Sequence, residues 1–393
     1  MVDMYIKSQR VANIPPYLFS EINRKKQELI EQGVDVIDLG IGCPDLPTPA
    51  HIIERLLEEM KDPNNFKYSG YSGCQEFREA VAKFYKKQFN VDLDPETEIL
   101  TLIGSKEGIA HFISASIDPG DFVLLPDPGY PTYRTATFLA NGFPYSMPLL
   151  RGNQYLPDFS IIPSHIKEKA KIMFLNYPSN PTAAVAGHEF FQEAVDFSRE
   201  NQITIAHDAA YQMVTFDGYQ SPSILQAEGA REVAVEFGSL SKTYSMTGWR
   251  IGYAVGNRDA LKSLSVVKSN VDTSQFIPIQ KAAATALTDD QTCIAEYNEI
   301  YKQRRKWMLK ALQELGIEAD SPKGSFFIWA TVPKVFSSSE FVKNVLEKTG
   351  VIVTPGTAFG EYGEGYFRIS LSVPTERLQQ AIDRIRSKLV LSV

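Results

Sequence analysis

Six short, continuously apolar runs, each set apart by segments of helical pattern, restrict this chain to very few architectures. They are EILTLI (98–103), DFVLLP (121–126), KIMFLN (171–176), ITIAHD (203–208), VAVEFG (233–238) and RIGYAVG (250–256). A strand with one wet face alternates apolar and polar residues, whereas an uninterrupted apolar run belongs to a strand covered on both faces. Strands of that kind separated by helices assemble into a mostly parallel sheet with helices on either side, so the fold class is α/β. Ligands of such sheets gather outside the carboxyl ends of the strands, which places function just after each run.

The pattern changes towards the C-terminus. A helical stretch from about 290 to 315 is followed by SFFIWATV, a helical EFVKNVLEKTG, VIVTP, YFRISLS and a last helix, which reads as a smaller α+β unit. Near the N-terminus, YLFSEINRKKQELIEQG is helical and stops at Gly33, a C-cap residue, before VIDLGIG. This stretch is expected to fold against the C-terminal unit. The resulting partition is 1–48 as N-terminal arm and part of the small domain, 49–284 as the large domain, and 285–393 as the small domain. With 393 residues, 44% of them hydrophobic, the chain can bury cores of that size.

Several functions are disfavoured. A net charge of −7 gives no field to gather a polyanion, so no nucleic-acid partner is expected. No run approaches the roughly 18–20 apolar residues that span a bilayer, and MVDMYIKSQR lacks a signal-peptide core, so no membrane partner is expected and the cytoplasm is the expected compartment. Cys43, Cys74 and Cys293 are scattered and form no CxxC, which reads as reduced thiols, and the five histidines show no ligand spacing, so no metal is expected.

The richest strand exit is GSLSKTYSMTGWRIGYAVG, 238–256. Alone, a lysine there is usually a solvated charge, and Ser239 and Ser241 are ordinary turn residues. Together they suit a single chemistry, because a desolvated Lys242 is a good imine-forming amine, while hydroxyls and the fork of Arg250 suit a phosphate. In IAHDAAY, Asp208 either caps a following helix or faces the nitrogen of a pyridine ring, keeping it protonated as an electron sink. Tyr211, one helical turn on, could donate to that ring's phenolic oxygen. In FLNYPSNPTAAVA, Pro178 and Pro181 read as turn residues, whereas Asn180 could reach the same oxygen from the other side. IGSKEGIA puts Gly104, Ser105 and Lys106 at a helix start, where backbone N–H groups meet anions. Tyr130 in PDPGYPTY either packs or stacks on the ring. Arg368 in YFRISLS pairs either with a structural carboxylate or with a substrate carboxylate.

These segments, with DLGIGCPDLPTP, KYSGYSGCQEFREA and NYPSNPT, resemble the class I and II aminotransferases of the pyridoxal-phosphate fold type I over nearly the whole chain and in the same order. The resemblance implies a seven-stranded, mostly parallel sheet, pyridoxal 5′-phosphate (PLP) as cofactor, and Lys242 as its Schiff-base lysine and proton shuttle. It implies Asp208 at the pyridine nitrogen, Asn180 and Tyr211 at the phenolic oxygen, and Tyr130 on the ring. Ser105, Lys106, Ser239, Ser241 and Arg250 would surround the phosphate, with Tyr68 reaching in from a second subunit of a homodimer. Arg368, Asn180 and the backbone at Gly42 would hold the substrate carboxylate. Within the family, IPPYLFSEI, the SKEG loop, HDAAY with FDGY, and VKSNVD resemble the LL-diaminopimelate aminotransferase group, which implies Tyr17 in the substrate pocket. NPTAAVA, where many relatives have glycine after NPT, and SQF after NVDT depart from the pattern; the second leaves substrate identity open.

The activity expected is transfer of an L-amino acid's nitrogen to a 2-oxo acid, with 2-oxoglutarate the expected acceptor. The same scaffold also supports carbon–sulfur β-elimination or acyl transfer. A non-catalytic amino-acid sensor would need a basic helix-turn-helix extension, and a nicotinamide dehydrogenase would need GxGxxG after a strand; neither is present.

Overall fold

The structure is a computed structural model that describes residues 7–12, 14 and 18–389. Twelve strands occur among these residues: β1 Ile37–Asp38, β2 Ile99–Leu102, β3 Phe122–Asp127, β4 Phe143–Pro148, β5 Ala170–Leu175, β6 Thr204–Asp208, β7 Ala234–Ser239, β8 Gly252–Gly256, β9 Phe327–Thr331, β10 Val351–Ile352, β11 Thr354–Pro355 and β12 Tyr366–Ser370. Seven make the central sheet in the order β2-β8-β7-β6-β5-β3-β4. The steps from β7 to β4 are parallel, and β8 runs antiparallel to both its neighbours.

All six apolar runs are strands of this sheet. Their continuous hydrophobicity follows from cover on both faces: Ile172 and Phe174 pack with Phe112, Val235 and Phe237 on one side, while Met173 and Leu175 pack with Phe77, Tyr85 and Phe191 on the other. Each such side chain is worth roughly 1.5–3 kcal/mol of burial. The seventh strand, β4, was not among the runs. FPYSMP carries Pro144 and Pro148, and only Met147 in it is buried. Proline cannot donate to a ladder, and its place in a sheet is the edge, where β4 lies.

A second core joins the chain's two ends. β11, β12 and β9 form an antiparallel sheet, and β1 pairs in parallel with β10, Ile37 opposite Val351. Asp35 adds ion pairs to Arg377 and Arg384 of the last helix, Thr375–Lys388, and they hold its carboxyl at about 2. The N-terminal helix Leu18–Glu31 is followed by Gly33 at φ +81°, as its C-cap position requires. The expected seam at 284/285 falls inside the helix Ile277–Thr288, and the chain leaves that helix at Asp289.

Candidate functional site

The carboxyl ends of β2, β5, β6 and β7, with Arg250 just before β8, open on a cavity of about 400 Å³. A wider groove of about 880 Å³ beside Arg151 and Lys310 lies elsewhere and is lined by none of the expected residues.

β7 delivers Lys242. The Ser239 hydroxyl accepts from the Ser241 backbone N–H at 3.2 Å and starts the single turn Leu240–Thr243. That turn carries the lysine from the strand into the cavity, where its Nζ donates to Gly42 O at 2.7 Å. Burial, helped by the Arg368 and Arg250 cations and opposed by Cys43 and Asp208, lowers the Lys242 ammonium to about 8. A side chain on Gly42 would strike the Phe327 ring, 2.5 Å from the place of a Cβ, so the backbone lies open to the lysine.

β6 delivers Asp208, which is 5% exposed. No helix follows it, so it is not a helix cap. Its Oδ2 accepts from Tyr133 Oη at 2.7 Å and its Oδ1 from the Ala210 N–H at 3.3 Å. Burial raises its carboxyl above the ordinary range, and these hydrogen bonds oppose the rise. Tyr211, three residues on in a turn, is held edge-on by Phe326 and Phe327 at 5.3 and 5.4 Å, and burial pushes its phenol up, so it is a donor.

β5 ends at Leu175 and exposes Asn176 and Asn180 to the cavity. Asn176 Nδ2 donates to Asp208 O at 2.7 Å, and its Oδ1 accepts from the Asn180 N–H at 2.8 Å, which locks the loop against β6. Asn180 Oδ1 accepts from Arg368 Nη1 at 2.6 Å, while Arg368 Nη2 donates to Gly40 O at 2.5 Å. Arg368 is 2% exposed and lies between the rings of Phe327 and Phe359, 4.1 and 4.7 Å from their centroids. Aromatic faces and carbonyl oxygens on this scale help to make a buried guanidinium tolerable.

The remaining wall is an anion cradle. Gly104, at φ +77°, precedes the helix Ser105–Ser116 and has no room for a side chain: a Cβ would lie 2.4 Å from Arg250 Nη2. Arg250 is itself left-handed, φ +55°, and its guanidinium donates to Thr247 O at 2.9 Å and Ile103 O at 3.5 Å, crossing in front of the helix start. Burial and Arg250 together lower the Lys106 ammonium. Two cations, three serines and a helix N-terminus suit a phosphate dianion.

Twelve expected residues therefore line one cavity: Gly42, Ser105, Lys106, Tyr130, Asn180 and Asp208 together with Tyr211, Ser239, Ser241, Lys242, Arg250 and Arg368. Tyr68 does not; it is 88% exposed on the outer surface. Tyr17 lies outside the described residues. Sequence reasoning missed Asn176, whose position directly at a strand end was the available signal, and Tyr133, which follows Tyr130 by one helical turn. It also missed that Glu107, His111 and Asp272 converge to within 4.8 Å. The ammonium of Lys268, 2.8 Å from Asp272 and 3.3 Å from Glu107, is the cation at that cluster.

The family description of the class I and II aminotransferases matches residues 34–385. The chain is 50% identical over 380 residues to the LL-diaminopimelate aminotransferase of Moorella thermoacetica, covering 97% of each chain. It is 51% identical over 384 residues to the enzyme of that name from Aquifex aeolicus, covering 98% of this chain and 99% of the other. Among solved structures, substrate-bound BacF from Bacillus subtilis superposes with a TM-score of 0.94 at 38% identity, with 98% of each chain covered. The chain belongs to the class I and II aminotransferases.

Proposed function

We propose that this aminotransferase binds PLP in the 400 Å³ cavity, takes nitrogen from LL-diaminopimelate, and passes it to 2-oxoglutarate. The observation that carries the reading is the meeting, in one cavity, of a buried amine near 8, a buried carboxylate and an anion cradle. The donor is supported by relatives at 50 and 51% identity that bear its name.

The donor set fits the cofactor group by group. Ser105, Lys106, Ser239, Ser241 and Arg250 take the phosphate, with the open backbone of Gly104 letting the helix start approach it. Asp208, whose ionised form Tyr133 and the Ala210 N–H favour, would pair with the ring nitrogen. Asn180 and Tyr211 would take the ring oxygen, and Tyr130 would cover the ring. When bound, PLP supplies a carbonyl that takes up amino nitrogen and a ring that accepts electrons from the α-carbon.

Lys242 would hold the cofactor through its Nζ, and the same Nζ would serve as the base that moves the proton at the substrate α-carbon. An amine near 8 has an appreciable unprotonated fraction at neutral pH, and that fraction becomes the larger one above about 8; both roles require the unprotonated form. Arg368 takes the substrate α-carboxylate through its fork, with Asn180 and the Gly42 backbone beside it, and so fixes the α-hydrogen towards Nζ. The donor leaves as an oxo acid before the acceptor enters, so kinetics are ping-pong.

The working unit is a homodimer with shared sites, and its compartment is the cytoplasm. Tyr68 is exposed, as is Phe66 two residues before it, and the Phe66 ring sits 5.5 Å from that of the exposed Phe276; exposed apolar rings of this kind favour self-association. Across the interface Tyr68 reaches the partner's phosphate. No helix among the described residues is long and apolar enough to cross a membrane.

The test is to load the protein with PLP and add single amino acids without oxo acid. LL-diaminopimelate is expected to replace the visible band of the lysine-bound cofactor by the near-ultraviolet band of its amine form. Pyruvate released from a cysteine conjugate, with no donor converting the band, would make the enzyme a β-lyase. A cofactor that binds but reacts with nothing would make the protein a sensor.

A further inference from the structure

We infer that Gln275 is a positioning residue that holds the two halves of the anion cradle at their working separation. The inference rests on the proposed role of that cradle in binding the cofactor phosphate. One half is the chain leaving β2, residues 103–106; the other is the chain entering β8, residues 247–251. β2 and β8 are antiparallel neighbours whose ladder ends at the pair Leu102 and Gly252. Past that pair no ladder bond sets the gap between Gly104 and Arg250. Their contact is nonetheless close, since a Cβ on Gly104 would lie 2.4 Å from Arg250 Nη2.

Gln275, between the helices Arg258–Val271 and Ile277–Thr288, closes this gap from behind. Its Nε2 donates both to Leu102 O, the last residue of β2 from which the first half departs, and to Arg250 O in the second half. A carboxamide nitrogen has two hydrogens, and both are used. Because both partners are carbonyls, the nitrogen and not the oxygen must face them, so the amide's orientation is fixed by chemistry. Oε1 is buried without a hydrogen-bond partner among the described residues, a cost that an apolar side chain of the same size would avoid.

The residue is also anchored. Gln275 O accepts from Gln280 Nε2 at 2.6 Å, and the fully buried Gln280 accepts from the Cys74 N–H at 2.6 Å. Arg250 needs such a clamp because it holds a left-handed backbone at φ +55°, which a non-glycine residue keeps only when its surroundings enforce it. Gripping its carbonyl fixes the peptide from which the guanidinium projects.

The experiment compares full-length wild type, Gln275→Met, Gln275→Glu and Arg250→Ala. For each apoenzyme, affinity is measured for inorganic phosphate and for PLP by titration, and the melting temperature is recorded without either. Loss of one well-placed hydrogen-bonded clamp is expected to weaken both affinities about tenfold in Gln275→Met. Gln275→Glu keeps the volume but turns oxygen towards two carbonyls, so it is expected to lose more. It serves as the reading if the Met variant does not fold. At saturating PLP the KM for the amino donor should stay at the wild-type value. Wild-type affinity for phosphate and PLP in the Gln275 variants, with or without a lowered melting temperature, overturns the inference. If Arg250→Ala also binds both ligands as wild type does, the cradle reading itself falls.

Discussion

Replacing Tyr133 by phenylalanine removes a single oxygen and tests whether Asp208 acts as an ionised carboxylate. The ring of Tyr133 stacks on Phe174 at 4.6 Å and 14°, so the phenyl ring keeps its place. Asp208 Oδ2 loses its donor at 2.7 Å, leaving the Ala210 N–H at 3.3 Å on the other oxygen. A hydrogen bond to a charged group is worth about 1.5–3 kcal/mol, so its loss disfavours the carboxylate and raises the carboxyl further. The sign follows from the site. Burial has already raised Asp208 and Tyr133 opposes that rise, so its removal adds to it. The carboxylate is lost as pH falls through the raised value, and with it the partner of the ring nitrogen. The acid limb of the kcat profile should therefore move to higher pH, with activity on that limb down by about 10–100-fold. The alkaline limb should stay in place, and the deficit should shrink as pH rises. Steady-state rates at saturating donor and acceptor across the pH range read this directly. Coincident wild-type and variant profiles, or a deficit constant with pH, would refute the reasoning.

Two further outcomes follow from the site. Because burial lowers the Lys242 ammonium to about 8, uptake of PLP by the apoenzyme should accelerate as pH rises and level off above about 8. A rate still climbing at the ordinary lysine value near 10.5 would show that the amine is not desolvated. Because Tyr68 is exposed on its own subunit, mixing Tyr68→Ala with Lys242→Ala protein should give hybrid dimers more active than either parent. Mixtures that regain nothing would place Tyr68 outside the partner's site.

What could be read in the sequence tracks how local its cause is. A strand buried on both faces announces itself as an apolar run, and the residue after it inherits a place at the sheet's carboxyl edge. That is why Asp208, Asn180 and Lys242 were legible one by one. β4 was not, because an edge strand with prolines has no apolar run to show. The partners of these residues were harder still. Nothing in PTYRTA says that Tyr133 meets Asp208, because that contact depends on how the helix Pro131–Leu139 sets Tyr133 against Phe174 of β5 and Asp208 of β6. Asn176 and Gln275 act through main-chain carbonyls, and a carbonyl carries no residue identity for a pattern to detect. Arg368 was recognised as a buried arginine, but nothing in YFRISLS says that the rings of Phe327 and Phe359 lie on its faces.

The division of labour around Arg368 leads to a last test, concerning choice of substrate rather than rate. Among the described residues the cations lining the cavity are Lys106, Lys242, Arg250 and Arg368, and the proposed site gives each a role at the cofactor or at the α-carboxylate. Every amino acid has an α-carboxylate, so Arg368 contributes equally to all donors, and discrimination has to come from what meets the far end of the side chain. Arg368→Lys keeps the charge but loses the fork. It should raise KM for donor and acceptor by about 10–100-fold, the cost of one charged hydrogen bond. The preference for the proposed donor over alanine, taken as a ratio of kcat/KM values, should stay within about threefold of wild type, since specificity is a difference of binding energies from which a common term cancels. Tyr17→Ala should do the reverse, collapsing the ratio while the KM for alanine stays near its wild-type value. If Arg368→Lys alters the ratio and Tyr17→Ala does not, the arginine reads the side chain, and the placement of the α-carboxylate has to be reversed.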